Sequence, residues 1–131
     1  MKRTFIKLFI ATFAIVIVAS CSHRLVGTWQ VTKYEISSPG EQGTSLSNIG
    51  TITFTGKGNG EKNLNYIVLG IQREDNVPFQ WIWTDGKYVT IDSKDSDFSK
   101  TWIIMENKSK SQKWKSTDGS NVIQTLELTK E

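Results

Sequence analysis

Apolar side chains fall on every second position through much of this chain: Phe79, Trp81 and Trp83, then Val89 and Ile91, then Trp102 and Ile104, and finally Leu126 and Leu128. A period of two is the mark of a strand with one buried face. Turn-forming residues recur between the runs, at Ser38-Pro39-Gly40, Gly56-Lys57-Gly58-Asn59-Gly60, Asp85-Gly86 and Asp118-Gly119. The pattern predicts strands over about 27–36, 49–55, 62–72, 79–84, 87–92, 98–106, 112–116 and 121–129. Short strands with closely spaced turns make an all-β sandwich or barrel. No internal repeat, linker or second domain is visible. The longest irregular piece, 37–48, is rich in Ser and Gly, and reads either as a lid over an opening or as a floppy loop.

The turn at Asp85-Gly86 allows a choice of register. A two-residue turn would pair Thr84 with Lys87 and Trp81 with Thr90. A type I turn with a bulge at Gly86 would pair Trp83 with Lys87, Trp81 with Val89 and Phe79 with Ile91. Only the second gathers Phe79, Trp81, Val89 and Ile91 on one face, so the bulged register is expected. Phe98, Trp102 and Ile104 form a further inward set. Around Trp114 stand Lys108, Lys110, Lys113 and Lys115. This segment reads as an amphipathic strand with Trp114 inward and Lys113 and Lys115 outward; contact with anionic headgroups is the competing reading.

Composition sharpens this. Of the 111 residues from Cys21 onward, 16 are Val or Ile, 12 are Thr and six are Leu, with no Ala. That is strand composition. Charge divides the chain at the same point. Lys2, Arg3 and Lys7 lie in the first twenty residues, so the remaining thirteen bases match the thirteen acids. The net charge of +3 therefore belongs to the leader. It makes no case for nucleic acid as a partner. One Cys and one His after Ser20 exclude a disulfide scaffold and a Cys/His zinc site.

The leader itself has a basic start, Met1-Lys2-Arg3, and an apolar run from Leu8 to Ala19. It is too short to span a bilayer, which takes about 20 apolar residues, and has the parts of a secretory signal. Its exit, Val18-Ala19-Ser20-Cys21, resembles the bacterial lipobox. The resemblance implies cleavage before Cys21 and acylation of that residue, with residues 1–20 a signal peptide and 21–24 a lipidated Cys and short tether. Cys21 is then the attachment point to a membrane, and two or more chains make such anchoring stable. Ser22, His23 and Arg24 would reach at most roughly 14 Å. Ser22 after the lipidated Cys resembles the class retained in the outer membrane, so the expected location is that membrane, facing the periplasm.

Residues 25–131 form the expected domain, and it opens with Leu25-Val26-Gly27-Thr28-Trp29. Gly27-x-Trp29 resembles the lipocalin opening motif, in which the Trp closes one end of the barrel beneath a basic side chain from after the last strand. Lys130 is the basic residue placed for that role, although Lys lacks the planar fork of Arg. The family's later Thr-Asp-Tyr motif is absent; Thr84-Asp85-Gly86 and Thr117-Asp118-Gly119 stand as hairpin turns. With Ile52-Thr53-Phe54, Gly58-Asn59-Gly60, Phe79-Gln80-Trp81 and Leu126-Glu127-Leu128-Thr129-Lys130, the chain resembles short lipocalin-like lipoproteins of Bacteroidetes-type envelopes. The resemblance implies an eight-stranded antiparallel up-and-down barrel.

A barrel of that size either fills with side chains or holds one small ligand. In the first reading the tryptophans are packing, and the protein is an interaction or inhibitor module with a protein partner. In the second, Tyr66, Phe79, Trp81, Trp83 and Trp102 line a pocket for a small hydrophobic molecule, its mouth opposite Trp29. Trp83, beside a hairpin tip, is expected near the surface. Catalysis has little to work with. His23 lies in the tether, away from any nucleophile inside the domain. The acidic run Asp92-Ser93-Lys94-Asp95-Ser96-Asp97 lacks the Gly and terminal Glu of a calcium loop and reads as a solvated turn. No cofactor, metal or catalytic residue is expected.

Overall fold

In a computed structural model, residues 23–117 and 121–131 are described; the leader, Cys21 and the turn at Asp118-Gly119 lie outside them. Among the described residues nine strands follow one another: β1 (Gly27–Ser37), β2 (Thr44–Phe54), β3 (Asn59–Val68), β4 (Ile71–Asp75), β5 (Phe79–Thr84), β6 (Tyr88–Asp92), β7 (Lys100–Asn107), β8 (Ser111–Thr117) and β9 (Ile123–Lys130). The antiparallel pairings run β1–β2, β2–β3, β3–β5, β5–β6, β6–β7, β7–β8 and β8–β9, and β9 pairs with β1. The result is a closed eight-stranded up-and-down barrel with one extra strand, β4, and it has the form of a lipocalin-like barrel. Closure leaves the ring itself without an edge.

The extra strand is where 62–72 was expected to be a single strand. Leu69 and Gly70 both take positive φ, 53° and 78°, and the chain reverses there. Leucine is not a turn residue, so local composition concealed the reversal. β4 and β5 then follow one register against β3, from Val68↔Ile71 and Leu64↔Asp75 to Gly60↔Phe79. They are two halves of one line, interrupted at Asn76-Val77-Pro78, where proline has no N–H for the ladder.

Two further expectations are corrected. The segment 37–48 is neither lid nor floppy loop over half of its length, because Thr44 to Ser47 pair with β1 as Ile36↔Thr44, Glu35↔Ser45, Tyr34↔Leu46 and Lys33↔Ser47. Its polar residues cover an outer face, which is why it read as irregular. The β5–β6 pairing is Trp83↔Val89 and Trp81↔Ile91, two residues from the bulged register expected. Asp85 and Gly86 both have positive φ, and Lys87 N donates to Thr84 O at 3.0 Å. This makes a primed turn with Lys87 as the extra residue before Thr84↔Tyr88. A two-residue difference keeps parity, so Phe79, Trp81, Val89 and Ile91 still share the inner face.

The interior is filled. Trp29, Trp102 and Trp114 have no exposed surface, and Tyr34, Phe54, Phe98, Ile52, Leu64, Ile91, Leu126 and Leu128 are at most 1% exposed. Trp114 points inward and Lys113 outward, as an amphipathic strand requires. A bulge in β1 between Val31 and Lys33 changes the inward phase from Trp29 and Val31 to Tyr34 and Ile36. Without it, strict alternation would turn Tyr34 outward. Gly60 is what admits Phe79, since a Cβ there would lie 2.1 Å from the ring's Cζ.

Candidate functional site

The end of the barrel where the described chain begins is plugged by Trp29. Its Nε1 donates to Leu25 O at 2.8 Å, and Leu25 is fully buried beneath it. Lys130 reaches back from the last strand, with Nζ 5.5 Å from the Trp29 ring centre and 2.9 Å from Arg24 O. Gly27 leaves the passage for that side chain: its φ is 131°, and a Cβ would meet Lys130 Cε at 2.9 Å. Gly27, Trp29 and Lys130 thus act as one unit. His23 is not in a free tether. It packs edge-on against Trp83 at 4.7 Å and Trp81 at 5.5 Å, and its Nδ1 accepts from Leu25 N at 3.0 Å. Burial, and then Arg24, hold its pKa below the ordinary value.

The five residues expected to line a pocket fall into two groups. Trp81 and Trp83 are half-buried at the Trp29 end, under His23, with Trp81 Nε1 donating to Asn59 O at 3.0 Å. Phe79 lies further in, against Phe54 and the Gly60 backbone. Tyr66 and Trp102 belong to the opposite half, each packed on Phe98, with Tyr34 beside them. Both groups belong to one hydrophobic cluster with the buried Phe54, Phe98 and Trp114.

A polar cluster that sequence reasoning missed closes that opposite half. Lys62, on the inward phase of β3 between Gly60 and Leu64, has a fully buried side chain. Its ammonium donates to Asp75 Oδ2 at 2.9 Å, Ser93 Oγ at 2.7 Å and Ser96 Oγ at 2.7 Å. Ser96 Oγ also donates to Asp75 Oδ2 at 2.6 Å, and Asp75 Oδ1 accepts from Val77 N at 3.2 Å. All three ammonium protons are engaged. Burial pulls the Lys62 pKa down, while the bond to Asp75 opposes it. Beside it Tyr66 donates to Asp97 Oδ2 at 2.9 Å. Burial first, then the Asp97 bond, push the Tyr66 phenol well above its ordinary value, and burial does the same to Tyr34. The acidic run 92–97 is therefore more than a solvated turn: Ser93, Ser96 and Asp97 pin the β6–β7 loop onto β3 and β4. The alternation Gly60-x-Lys62-x-Leu64-x-Tyr66 was the signal available for Lys62.

Apolar surface lies outside the barrel. β2 pairs with β3 only between Gly50↔Leu64 and Phe54↔Gly60. Beyond Leu64 the β3–β4 hairpin stands free of β2. A groove of about 460 Å³ lies there, lined by Leu46, Ile49, Tyr66, Ile67 and neighbouring polar residues. At the hairpin tip Leu69 is 89% exposed, with Ile67 at 60% and Ile71 at 58%. A second exposed set, Ile82, Tyr88, Ile103 and Met105, lies on the outer wall of β5, β6 and β7, where Tyr88 pairs with Ile103. Among the described residues no cluster of three or more His, Cys, Asp or Glu is set to hold a metal. No protein-family model, curated protein or solved structure matches the chain.

Proposed function

We propose that this is a lipid-anchored envelope protein of the outer membrane whose lipocalin-like barrel works through its outer surface, as a protein-interaction module. The observation that carries the reading is Leu69. A leucine at φ 53° pays roughly 1–2 kcal/mol for a left-handed backbone that Asn or Gly would adopt freely. It is also the most exposed large apolar side chain among the described residues, at 89%. The left-handed backbone makes the hairpin turn, but the turn does not need a leucine there, and a strained, exposed side chain is a reason to look for a contact. The packed interior supports the same reading, because it leaves contact surfaces on the outside.

A photo-crosslinking residue at position 69, in the full chain expressed in its own envelope, is expected to give a discrete protein adduct. The same residue at Glu61, exposed on the outward phase of β3, should give none. A small hydrophobic ligand is the second reading, favoured by the groove beside Tyr66 and Ile67. Native mass spectrometry of the full chain from detergent decides between them. A stoichiometric lipid-sized adduct, with no crosslink at position 69, would overturn the module reading. For the anchor, alkyne-tagged palmitate fed to cells should label the protein through Cys21; equal labelling of Cys21→Ala would refute it.

A further inference from the structure

The two ends of the barrel differ in charge. Three turns lie at the end where residue 23 enters: Thr55–Gly58, Asp85–Lys87 and Lys108–Lys110. With Arg24 and the last residues of β9 they bring together Arg24, Lys57, Lys87, Lys108, Lys110 and Lys130. Against these stand Asp85, Glu131 and Glu106, the last 3.2 Å from Lys108. All but Lys130 among the basic residues are exposed. Backbone bonds hold these pieces in one rim: Trp81 N to Gly58 O, Ile104 N to Lys87 O and Lys130 N to Lys110 O. Arg24 reaches Asn107 O at 3.0 Å. At the opposite end the described turns carry Glu41, Asp95 and Asp97 against Lys94. A chain that is formally neutral after its leader is thus polar from end to end.

Aromatic placement follows the same axis. Trp29, Trp102 and Trp114 are buried, whereas Trp81 and Trp83 are half-exposed at the basic end.

We infer that the basic rim is a docking face for an anionic bilayer surface, with the barrel standing on it and the β3–β4 hairpin directed away. The inference takes its orientation from the anchor reading. Cys21 lies two residues before His23, which packs on this end, so a lipid at Cys21 brings this rim and no other to the headgroups. The charge complementarity is its own argument: a lysine near an anionic surface contributes about 1 kcal/mol, or roughly fivefold in binding, and the effect fades beyond a Debye length. At about 3.3 Å per residue, tilted strands of this length set the Leu69 tip roughly 25 Å from the headgroups, clear of the same bilayer.

The test uses the full-length mature protein mixed with an excess of vesicles, of phosphatidylcholine alone or with about one quarter phosphatidylglycerol. Acetic anhydride labelling read by mass spectrometry reports each lysine, with Lys94 as the reference at the far end. Lys57, Lys87, Lys108 and Lys110 should become at least about fivefold less reactive relative to Lys94 on the anionic vesicles, and recover in high salt. The variant Lys57→Gln/Lys87→Gln/Lys108→Gln/Lys110→Gln changes only exposed side chains. Headgroup spin labels should quench wild-type tryptophan emission more strongly on anionic than on neutral vesicles, and the variant should lose that difference. Equal reactivity on both vesicle types, or shielding of Lys94 instead, would overturn the inference. So would shielding found only in whole cells and traced to a crosslinked acidic protein. Palmitate labelling at Cys21 with unshielded lysines sinks this inference alone; shielded lysines without labelling sink the anchor and leave it standing.

Discussion

The Trp29 end and the Lys62 end close the same barrel by opposite chemistry. At Trp29 an aromatic ring is buried under its own chain's entry segment, with one cation over its face. At Lys62 a buried ammonium holds together β3, β4 and the β6–β7 loop through Asp75, Ser93 and Ser96. Burying the ring is favourable by itself, in proportion to area removed from water. Burying the ion pair is tolerable only while every partner is present. The plug stabilises, whereas the clamp fixes geometry. Where the strand line breaks at Asn76-Val77-Pro78, the Asp75 side chain anchors the end of β4 in addition to its ladder pairing with Leu64.

The largest effect should come from the plug. Trp29→Ala is expected to destabilise the fold by about 4 kcal/mol in urea denaturation, as cavity-forming aromatic deletions do. A loss below about 1 kcal/mol would mean that the ring is not packed as described.

The clamp should cost less and be repairable. Lys62→Met strands the Asp75 carboxylate and should cost about 3 kcal/mol, whereas Lys62→Met/Asp75→Leu should recover most of it. If the double variant is as unstable as the single one, the clamp stabilises as well as specifies.

Alkaline pH gives a smaller lever on the same end. With its pKa held below the ordinary 10.5, folded Lys62 binds fewer protons than unfolded Lys62 in that interval. Its contribution therefore raises stability as pH climbs toward 10.5. Tyr34 and Tyr66 act in reverse, since the unfolded chain loses phenolic protons above their ordinary value of 10.0 and the folded chain keeps them. Stability should fall from there upward. Phenolate absorbance from these two residues should appear only together with the change in tryptophan emission that marks unfolding. Phenolate from both before that change would contradict their burial.

The smallest expected change lies outside both closures. Leu69→Asn should raise stability by about 1 kcal/mol by relieving the left-handed backbone, while weakening a crosslink made from a photo-reactive residue at the neighbouring exposed position, Ile71. A destabilised variant would show that Leu69 serves the fold after all.

Much of the plug was legible beforehand. Gly27, Trp29 and Lys130 stand at the chain positions where a first and a last strand must meet, and the inward phases of Trp81, Trp102, Trp114, Leu126 and Leu128 follow from alternation. The clamp was open to detection, because Lys62 falls on an inward phase, but its partners lie 13, 31 and 34 residues away. Nothing local pairs them. The hairpin at Leu69 was missed for a related reason: a leucine takes the first left-handed position of its turn, and Gly70 beside it is a lone signal inside an apolar run. The register at Asp85-Gly86 came out two residues off, since parity is read from buried pattern while the count depends on how Lys87 is accommodated beside β7.

Alternation and turn spacing are properties of neighbouring residues, and by themselves they determined an all-β chain whose strand tryptophans face inward. Closure of the ring, the filling of its interior, the clamp at Lys62 and the separation of a basic rim from an acidic one were decided only in three dimensions. Each depends on side chains from strands far apart in the sequence, competing for one small enclosed volume or gathered at one end of it.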